Sequence, residues 1–219
     1  MLYTLESVKA NIRNREGKRV FYLDKNDQMT SEAKDYLQAE RIEILPAQEA
    51  IVDHYRLLNG AVVDKKPEHM THLRGNTLVS KSHPRIAFRG AMDTLEAELL
   101  LCGRQVGQIL ELARRLIRCE VMDEPVGEFT LYGLTPEQQR LCSHFPQKYY
   151  NQPHFMPDFD DTEKLLQLNR ARCAARAAEL AATKAFVNAD GEPVRGDILQ
   201  ALNRLSSMLY ILMIEEKAK

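Results

Sequence analysis

The sequence predicts a mainly α-helical fold, an antiparallel bundle of four to five main helices with a small N-terminal α/β leader. Three observations support this prediction. Two long helical patterns separated by a turn occupy the C-terminal end, further helical patterns fill the middle of the chain, and short β-type runs lie near its start. We therefore expect a leader over residues 1–62 and a helical bundle over residues 63–219.

Length and composition indicate an ordinary globular protein. The chain has 219 residues, of which 44% are hydrophobic and 28% charged, so it is long enough to bury one substantial core. Its 30 basic and 31 acidic residues nearly cancel, which leaves no field to recruit nucleic acid. The longest apolar run, Met208–Ile214, is far shorter than the ~20 residues of a membrane span. With no signal peptide visible, we expect a cytoplasmic protein without a membrane partner.

The leader has the pattern of a minimal β-α-β unit. A β-type run, Val20–Leu23, precedes a helix that Thr30 or Ser31 can cap and that extends to about Gln38. The run Arg41–Leu45 then predicts a second strand. Such a unit is too small to bury a core alone, so we expect it to pack on the main domain or on a neighbouring subunit.

The middle of the chain contains predicted loops and helices. A helix is possible at Glu49–Leu58, and the polar stretch His69–Arg85 is typical of a surface connector. A long helix, Ile86–Cys119, is predicted next because its apolar residues recur at helical spacing. We expect this helix to be loosened near Gly103 and Gly107.

A shorter helix and an aromatic loop follow. Thr135 as a cap, with Pro136 at the first helical position, indicates a helix to about Ser143. The loop Phe145–Phe159 is rich in aromatic residues and broken by prolines. Exposed aromatics in a long loop indicate either a subunit contact or a cover for a flat hydrophobic ligand, and the sequence leaves both open.

Two long helices end the chain. The first, Thr162–Phe186, is rich in alanine, the best helix former. Three polar residues lie on one stripe of this helix, because spacings of four and three residues are helical: Arg172, Arg176 and Glu179. The second helix begins after a loop that contains glycine and proline, and Asp197 is predicted to cap it.

Polar residues on both helices predict a binding site between them. Asn203 and Arg204 lie between apolar positions just after the first turn of the second helix. Together with the stripe on the first helix they supply three guanidiniums, one carboxylate and one amide, and arginine is suited to grip phosphate with several donors. The alternative is that these are solvated surface charges, as most charges are. The residues alone therefore predict a phosphate or nucleotide site, with that alternative open.

The cysteines and histidines do not form a metal-binding pattern. The four cysteines are scattered, which favours reduced structural thiols: Cys102, Cys119, Cys142 and Cys173. Three histidines lie in one polar loop without a neighbouring cysteine: His69, His72 and His83. We therefore predict that no protein histidine or cysteine holds a metal.

Two segments of the C-terminal helices resemble the paired signature of the ATP:cob(I)alamin adenosyltransferases. The first is Arg172-x3-Arg176-x2-Glu179, and the second is the run Leu202–Ser206, with the sequence LNRLS. The two segments occur in the same order as in that family.

An earlier segment agrees with this resemblance. Lys81–Ile86, leading into Phe88–Ala97, is similar to the place where the family's phosphate-binding loop feeds the first bundle helix. The form of Glu68–Leu73 and the short leader resemble most closely the ethanolamine-utilisation branch of the superfamily. The three segments together span most of the predicted bundle.

The resemblance implies an activity and an assembly. The implied enzyme transfers the 5′-deoxyadenosyl group of ATP to cob(I)alamin, forming adenosylcobalamin and releasing a phosphate chain. It would use ATP, magnesium and cobalamin, with Glu179 as a candidate oxygen ligand of magnesium. The implied assembly is a homotrimer with each site between adjacent subunits. Ethanolamine ammonia-lyase or its reactivase would be a partner, and a bacterial microcompartment an implied location.

The resemblance also assigns roles to residues. Arg172 and Arg204 would be catalytic, because they would neutralise the leaving phosphate chain. The residues implied to bind ATP are Thr71, Lys81, Arg85, Arg172, Arg176, Glu179, Asn203 and Arg204. Asp93 and Ser207 would lie in supporting positions or on the corrin side.

Two departures from the family pattern keep an alternative open. The family's N-terminal glycine-rich string is missing, and only Thr71–Gly75 lies in its neighbourhood. Ser207 stands where the family usually has aspartate. A non-catalytic helical interaction or scaffold protein of a microcompartment would fit these departures. The retained arginines favour the enzyme, because a scaffold has no reason to keep them.

Overall fold

The protein is described by a computed structural model that covers residues 2–15, 17–47 and 55–219. The chain divides into two compact units. The first contains the described residues up to Glu68 together with Asn76–Leu78, and the second contains His69–Gly75 and Val79–Lys219. Most of the helical structure lies in the second unit, and the mainly α-helical class is confirmed.

The first unit contains short strands and two helices. In chain order they are β1 (Leu2–Tyr3), α1 (Leu5–Ala10), β2 (Arg13–Arg15), β3 (Lys18–Leu23), β4 (Gln28–Met29), α2 (Ser31–Ala39), β5 (Glu43–Pro46), β6 (Tyr55–Leu57) and β7 (Val62–Val63). Strand β3 lies between β2, which is antiparallel to it, and β5, which is parallel. A small core forms from Val8, Phe21, Ala33, Leu37 and Ile42.

The predicted β-α-β unit is confirmed, with one shift. The hydroxyl of Thr30 caps α2 by accepting a hydrogen bond from the backbone N–H of Ala33 at 3.3 Å. The second strand begins at Glu43 rather than at Arg41, because Arg41 has a positive φ of 52°. That left-handed residue turns the chain out of the helix before the strand starts.

The helix predicted for Glu49–Leu58 is wrong for Tyr55–Leu57, which form a strand. Tyr55–Leu57 forms β6, which pairs antiparallel with β7 and parallel with Thr77–Leu78. The preceding residues of that prediction, up to residue 54, lie outside the described residues.

The polar connector predicted for His69–Arg85 is also wrong. This stretch contains β8 (Met70–Arg74) and β9 (Thr77–Ser80), with Gly75 between them at a φ of 52°. Leu73 is buried in β8, as Leu78 and Val79 are in β9. The buried side chains explain why these residues are strands and not a solvated loop.

The second unit contains six further helices among the described residues. They are α3 (Pro84–Leu101), α4 (Gly107–Met122), α5 (Pro136–His144), α6 (Pro146–Tyr150), α7 (Glu163–Phe186) and α8 (Gly196–Lys217), with a 3-10 turn at Arg104–Val106. Helix α7 packs along both α3 and α8, and α4 and α5 also contact α8. None of the helices in the described part of the chain is long and apolar enough to cross a membrane.

The single long helix predicted for Ile86–Cys119 is two helices in the structure. Gly103 has a φ of 76°, a backbone conformation that an α-helix cannot contain, and it separates α3 from the short turn before α4. The predicted apolar face is nevertheless buried on both helices, from Leu95 and Leu99 to Leu112 and Leu116.

Helix α5 starts as the sequence predicts. The hydroxyl of Thr135 accepts a hydrogen bond from the N–H of Gln138 at 3.3 Å, and the Gln138 side-chain oxygen accepts one from the N–H of Thr135 at 2.8 Å. This reciprocal capping fixes where the helix begins. Within the aromatic loop that follows, α6 forms, while Met156 and Phe159 are 88% and 99% exposed.

Candidate functional site

Helix α7 is shaped so that two helices can approach it closely. Thr162 caps it by accepting a hydrogen bond from the N–H of Leu165 at 3.2 Å, as the predicted helix start requires. Ala171, Ala175 and Ala178 are fully buried along one side of it. Alanine has no bulk beyond its methyl group, so α7 and its neighbours pack with little space between their backbones.

Helix α8 begins differently from the prediction. Arg195 is the N-cap and makes no side-chain cap, whereas Asp197 lies inside the first turn. The Asp197 carboxylate accepts hydrogen bonds from Arg195 Nε and from the N–H of Val126, both at 3.0 Å. The predicted capping role of Asp197 is therefore wrong, because its carboxylate is held by two other partners.

A pocket of about 680 Å³ brings together half of the ten predicted site residues. Five of them line it: Arg172, Arg176, Glu179, Asn203 and Ser207. The first three come from α7 and the last two from α8, so the expected meeting of two polar helix faces is confirmed.

A chain of hydrogen bonds connects the two helices at this pocket. The Asn203 amide nitrogen donates to Glu179 Oε1 at 2.9 Å, and Arg204 Nη1 donates to Asn203 Oδ1 at 2.8 Å. Both the nitrogen and the oxygen of the Asn203 side-chain amide are therefore hydrogen-bonded. The second carboxylate oxygen of Glu179 has no hydrogen-bond partner within the described chain, so it remains available for a ligand.

Arg204 donates to the pocket residue Asn203 but does not line the pocket itself. It is 9% exposed, and its Nε has no hydrogen-bond partner among the described residues. Burial, followed by the charge of Arg140, lowers the pKa of Arg204 below its usual value, while Glu137 and Glu179 oppose that shift. A guanidinium keeps its proton even so, and the site therefore holds a buried positive charge without a carboxylate in contact.

The two arginines that line the pocket also lack a carboxylate partner in the described structure. Arg172 Nη2 and Nε donate to Asn169 Oδ1 at 3.1 and 3.3 Å, and its guanidinium lies 5.9 Å from the centre of the Tyr210 ring. Arg176 is exposed and makes no hydrogen bond to a described residue. Because neither charge is neutralised by contact, the pocket attracts anions.

Part of the pocket lining is aromatic and adjoins Arg172. His154 and Phe155 come from the loop after α6, and Tyr210 comes from α8. The Tyr210 ring stacks with both of them, at centroid distances of 5.8 Å in each case. The pocket thus places a flat apolar surface beside its cationic side, an arrangement that suits a ligand with a ring and a phosphate chain.

Sequence reasoning missed the aromatic wall, although signals were present. Tyr210 follows Asn203 and Ser207 at spacings of seven and three, so it lies on the same face of α8. His154 and Phe155 belong to the predicted aromatic loop, but nothing in the sequence indicated which aromatics would turn towards the helices. His144 and Ser206 also line the pocket and were not predicted.

The other predicted ATP residues lie elsewhere in the chain. Thr71, Lys81 and Arg85 are not among the residues that line this pocket. Arg85 Nε contacts Glu120 Oε1 at 2.5 Å, and Arg89 Nε contacts Glu120 Oε2 at 2.7 Å. The Glu120 side chain is completely buried, so this triad joins the start of α3 to the end of α4.

Asp93 is exposed on α3 and forms no ion pair with a described residue.

Two histidines of the stretch His69–Arg85 have backbone partners. His83 Nδ1 caps α3 by accepting a hydrogen bond from the N–H of Arg85 at 3.2 Å, and burial together with the charges of Arg85 and Arg89 lowers the pKa of His83. His72 Nδ1 lies 2.9 Å from the carbonyl oxygen of Gly75 and donates to it.

Metal-binding side chains do not converge within the described ranges. No group of three or more histidine, cysteine, aspartate or glutamate residues there could hold a metal ion. Cys102, Cys119 and Cys142 are buried and Cys173 is exposed, all of them free thiols. Burial, and then the charge of Glu98, raises the pKa of Cys102 to about 11, so this thiol stays protonated at neutral pH.

Comparison with known proteins gives a consistent result. The family model described as cobalamin adenosyltransferase matches residues 61–216. The protein named corrinoid adenosyltransferase EutT from Salmonella typhimurium strain LT2 is 34% identical over 165 residues, which are 72% of this chain and 62% of that protein. The protein of the same name from Escherichia coli K12 is 34% identical over 160 residues, 69% of this chain and 60% of its own length. The chain thus covers less than two thirds of the length of these relatives.

Proposed function

Because this chain belongs to the cobalamin adenosyltransferase family, we propose that it transfers the 5′-deoxyadenosyl group of ATP to the cobalt of cob(I)alamin. The products are adenosylcobalamin and a phosphate chain. One observation carries the proposal: the family's arginines, glutamate and asparagine on α7 and α8 line or adjoin a single pocket with uncompensated positive charge.

The reaction requires stabilisation of a highly charged leaving group. Attack of cobalt(I) on the 5′ carbon of ATP breaks the bond to the 5′ oxygen and leaves negative charge on the phosphate chain. Arg172 and Arg176 on the pocket wall supply fixed positive charge where that chain would lie. A charge-assisted hydrogen bond contributes about 1.5–3 kcal/mol, so each arginine accounts for one to two orders of magnitude in rate or affinity.

Arg204 and Asn203 act together in this proposal. Asn203, held between Glu179 and Arg204, presents its amide to the nucleotide. The buried charge of Arg204 adds to the positive potential behind the phosphate chain. An uncompensated buried charge costs folding energy, and an anionic substrate would recover part of that cost.

Magnesium would accompany the phosphates. Its preferred ligands are oxygens, and a single carboxylate usually suffices when the phosphates supply the rest. Glu179 fits this role because one of its oxygens is bound by Asn203 and the other is available. When bound, magnesium would neutralise part of the phosphate charge. We propose that activity depends on magnesium and not on a metal held by histidine or cysteine.

The remaining ATP residues are proposed to act across a subunit boundary. Thr71, Lys81 and Arg85 do not line the pocket of their own chain. In a homotrimer with each site between adjacent subunits, the start of α3 in one subunit would face the pocket of the next. Asp93, exposed on α3, would then have a basic partner from the neighbouring subunit.

We also propose that residues 1–62 form the leader to a bundle of four to five main helices.

The corrin would bind beside the aromatic wall. The exposed aromatic loop and the face of α8 that lines the pocket would provide a surface for a flat macrocycle, and Ser207 is proposed to lie on this side. The adenosylcobalamin product is proposed to serve ethanolamine ammonia-lyase or its reactivase, in the cytoplasm and in association with a microcompartment. The relatives' name, EutT, is the support for that assignment.

The proposal is tested by mixing purified protein with cob(I)alamin, ATP and magnesium under anaerobic conditions. Formation of adenosylcobalamin is followed by its visible spectrum, with ATP or magnesium omitted as controls. Product that appears only with both supports the enzyme. A protein that neither binds ATP with heat release nor forms product would be the scaffold alternative. Chelator-dialysed protein should recover full activity with magnesium alone, and activity that instead requires about one iron or zinc per chain would contradict the metal proposal.

A further inference from the structure

Three hydrogen bonds attach the aromatic loop to α5 and α8 at the edge of the pocket. His154 Nδ1 lies 3.1 Å from the Tyr210 hydroxyl, and His154 Nε2 lies 3.1 Å from the carbonyl oxygen of His144. The backbone N–H of Phe155 donates to the Tyr210 hydroxyl at 3.4 Å. The end of α5, the loop and α8 are thus connected through one imidazole and one phenol.

The chemistry of the partners fixes the direction of these bonds. A carbonyl oxygen only accepts, so Nε2 of His154 carries a proton and donates to His144. In the neutral imidazole Nδ1 is then an acceptor, and the Tyr210 hydroxyl donates to it. The hydroxyl oxygen at the same time accepts the N–H of Phe155. Each donor therefore has an acceptor in this network.

The Tyr210 ring continues the connection to α7. The Arg172 guanidinium lies 5.9 Å from the ring centre, within the range of a cation–π contact. In the described structure the Arg172 guanidinium forms hydrogen bonds only with the side chain of Asn169. The position of Arg172 in the pocket therefore depends on where the Tyr210 ring is held.

We propose that His154 and Tyr210 are positioning residues, which hold the Arg172 guanidinium in the place where it meets the phosphate chain of ATP. This inference rests on the proposed function, because it assigns a role within the same site. His154 acts through the Tyr210 hydroxyl, and Tyr210 acts through its ring. A ligand that contacts Arg172 would bind less tightly when the ring is free to move.

Matched variants separate the two bonds of His154. In His154→Asn, the amide oxygen can replace Nδ1 and still accept from Tyr210, while the bond to His144 is lost. In His154→Gln, the amide nitrogen can replace Nε2 and still donate to His144, while the acceptor for Tyr210 is lost. Tyr210→Phe keeps the ring and removes the hydroxyl. Tyr149→Phe, an exposed tyrosine outside the pocket lining, is the control.

The expected result is a pattern in the affinity for magnesium-ATP, measured by calorimetry on variants with wild-type circular dichroism. Tyr210→Phe and His154→Gln should weaken binding by about five- to tenfold, the value of one or two modest contacts. His154→Asn and Tyr149→Phe should bind within about twofold of wild type. The double variant His154→Gln with Tyr210→Phe should lose no more than either single variant, because both remove the same bond.

Kinetics and spectroscopy give independent readouts. In Tyr210→Phe the KM for ATP should rise and the turnover number at saturating ATP should fall, because a displaced Arg172 meets the phosphate chain less well both in the bound substrate and during the reaction. Nitrogen-15 spectra of labelled histidine should show the Nε2–H tautomer for His154.

Three results would overturn the positioning role: wild-type affinity in Tyr210→Phe and His154→Gln, equal losses in His154→Asn and His154→Gln, or an Nδ1–H tautomer. The proposed function is judged separately. Wild-type protein that binds magnesium-ATP but forms no adenosylcobalamin would contradict the function, and the affinity pattern would still decide the positioning role.

Discussion

Two groups of arginines in the same unit have opposite environments. At the start of α3, Arg85 and Arg89 share the buried carboxylate of Glu120, and Arg89 also donates to the carbonyl oxygens of His72 and Leu73. On α7, Arg172 and Arg176 have no carboxylate in contact within the described structure. The first group is compensated by a carboxylate of the fold, and the second is not.

The difference shows that residue type alone does not identify an anion site. Family likeness assigns both Arg85 and Arg172 to ATP, but within one chain only Arg172 faces an open pocket with its charge unmatched. Arg85 Nε donates to the Glu120 carboxylate and Nη2 donates to the Glu120 carbonyl oxygen, which leaves Nη1 without a hydrogen-bond partner in the described structure. Arg85 therefore joins α3 to α4 and differs from Arg172 in having a carboxylate in contact.

The largest expected effect is the loss of the compensated group. Glu120→Gln removes a fully buried carboxylate and leaves two guanidiniums without a counter-charge, so we expect a loss of about 3–5 kcal/mol in the free energy of unfolding. Urea unfolding followed by circular dichroism measures it. Glu96→Gln, which breaks the exposed ion pair with Arg114, is the matched control and should cause little change. Equal losses of stability in the two variants would contradict the claim that the buried Glu120 contributes more to stability than the exposed Glu96.

The next largest effect concerns the uncompensated group. Arg172→Ala and Arg204→Ala should each lower adenosyl transfer by one to two orders of magnitude, because each removes positive charge from the phosphate region. Arg170→Ala is the control: Arg170 lies two residues before Arg172 on the same helix, is exposed and pairs with Glu98. Initial rates of adenosylcobalamin formation measure the effect. Near-normal rates in Arg172→Ala would move the site away from α7.

The oligomeric state decides whether the two groups of arginines can meet at one site. If the start of α3 completes a neighbouring subunit's pocket, equilibrium sedimentation should give three times the chain mass of 25.1 kDa. The trimer would then allow Lys81 of one subunit to approach the pocket of another. A monodisperse monomer with full activity would confine the site to α7 and α8.

The smallest effect is expected at a third site, where Asp197 compensates the charge of Arg195. Burial alone would raise the pKa of Asp197, but its bonds to Arg195 and to the N–H of Val126 outweigh burial and lower it. The stabilisation by Asp197 is therefore present above its unfolded pKa, about 3.9, and is lost as the pH falls through the lower folded value. The difference in unfolding free energy between wild type and Asp197→Asn should shrink below about pH 4. A difference that does not change with pH would contradict this assignment.

The sequence contained enough information to predict the helices that carry the site. Alanine content predicts α7, and regular leucine spacing predicts α8, because both signals are local. The meeting of Arg172, Glu179 and Asn203 follows from those two helices packing face to face. Local signals also predict α2 and α5 correctly, since a capping threonine begins each of them.

The errors arise where the outcome depends on distant residues or on backbone conformation. Gly103 was expected to loosen a helix, but its positive φ ends it. The strands β8 and β9 were missed because charged and polar residues obscure the buried Leu73, Leu78 and Val79. Burial of Glu120 against two arginines joins residues more than 30 positions apart, and no periodic pattern marks such a pair.

Affinity for magnesium-ATP tests most directly the claim that uncompensated arginines on α7 and α8 form the nucleotide site. Calorimetry on wild type, Arg172→Ala and the control Arg170→Ala separates charge in the pocket from charge on the same helix. We predict measurable binding by wild type and Arg170→Ala, and at least about tenfold weaker binding by Arg172→Ala. Equal affinity in Arg172→Ala and wild type, or no binding heat in wild type, would contradict the account.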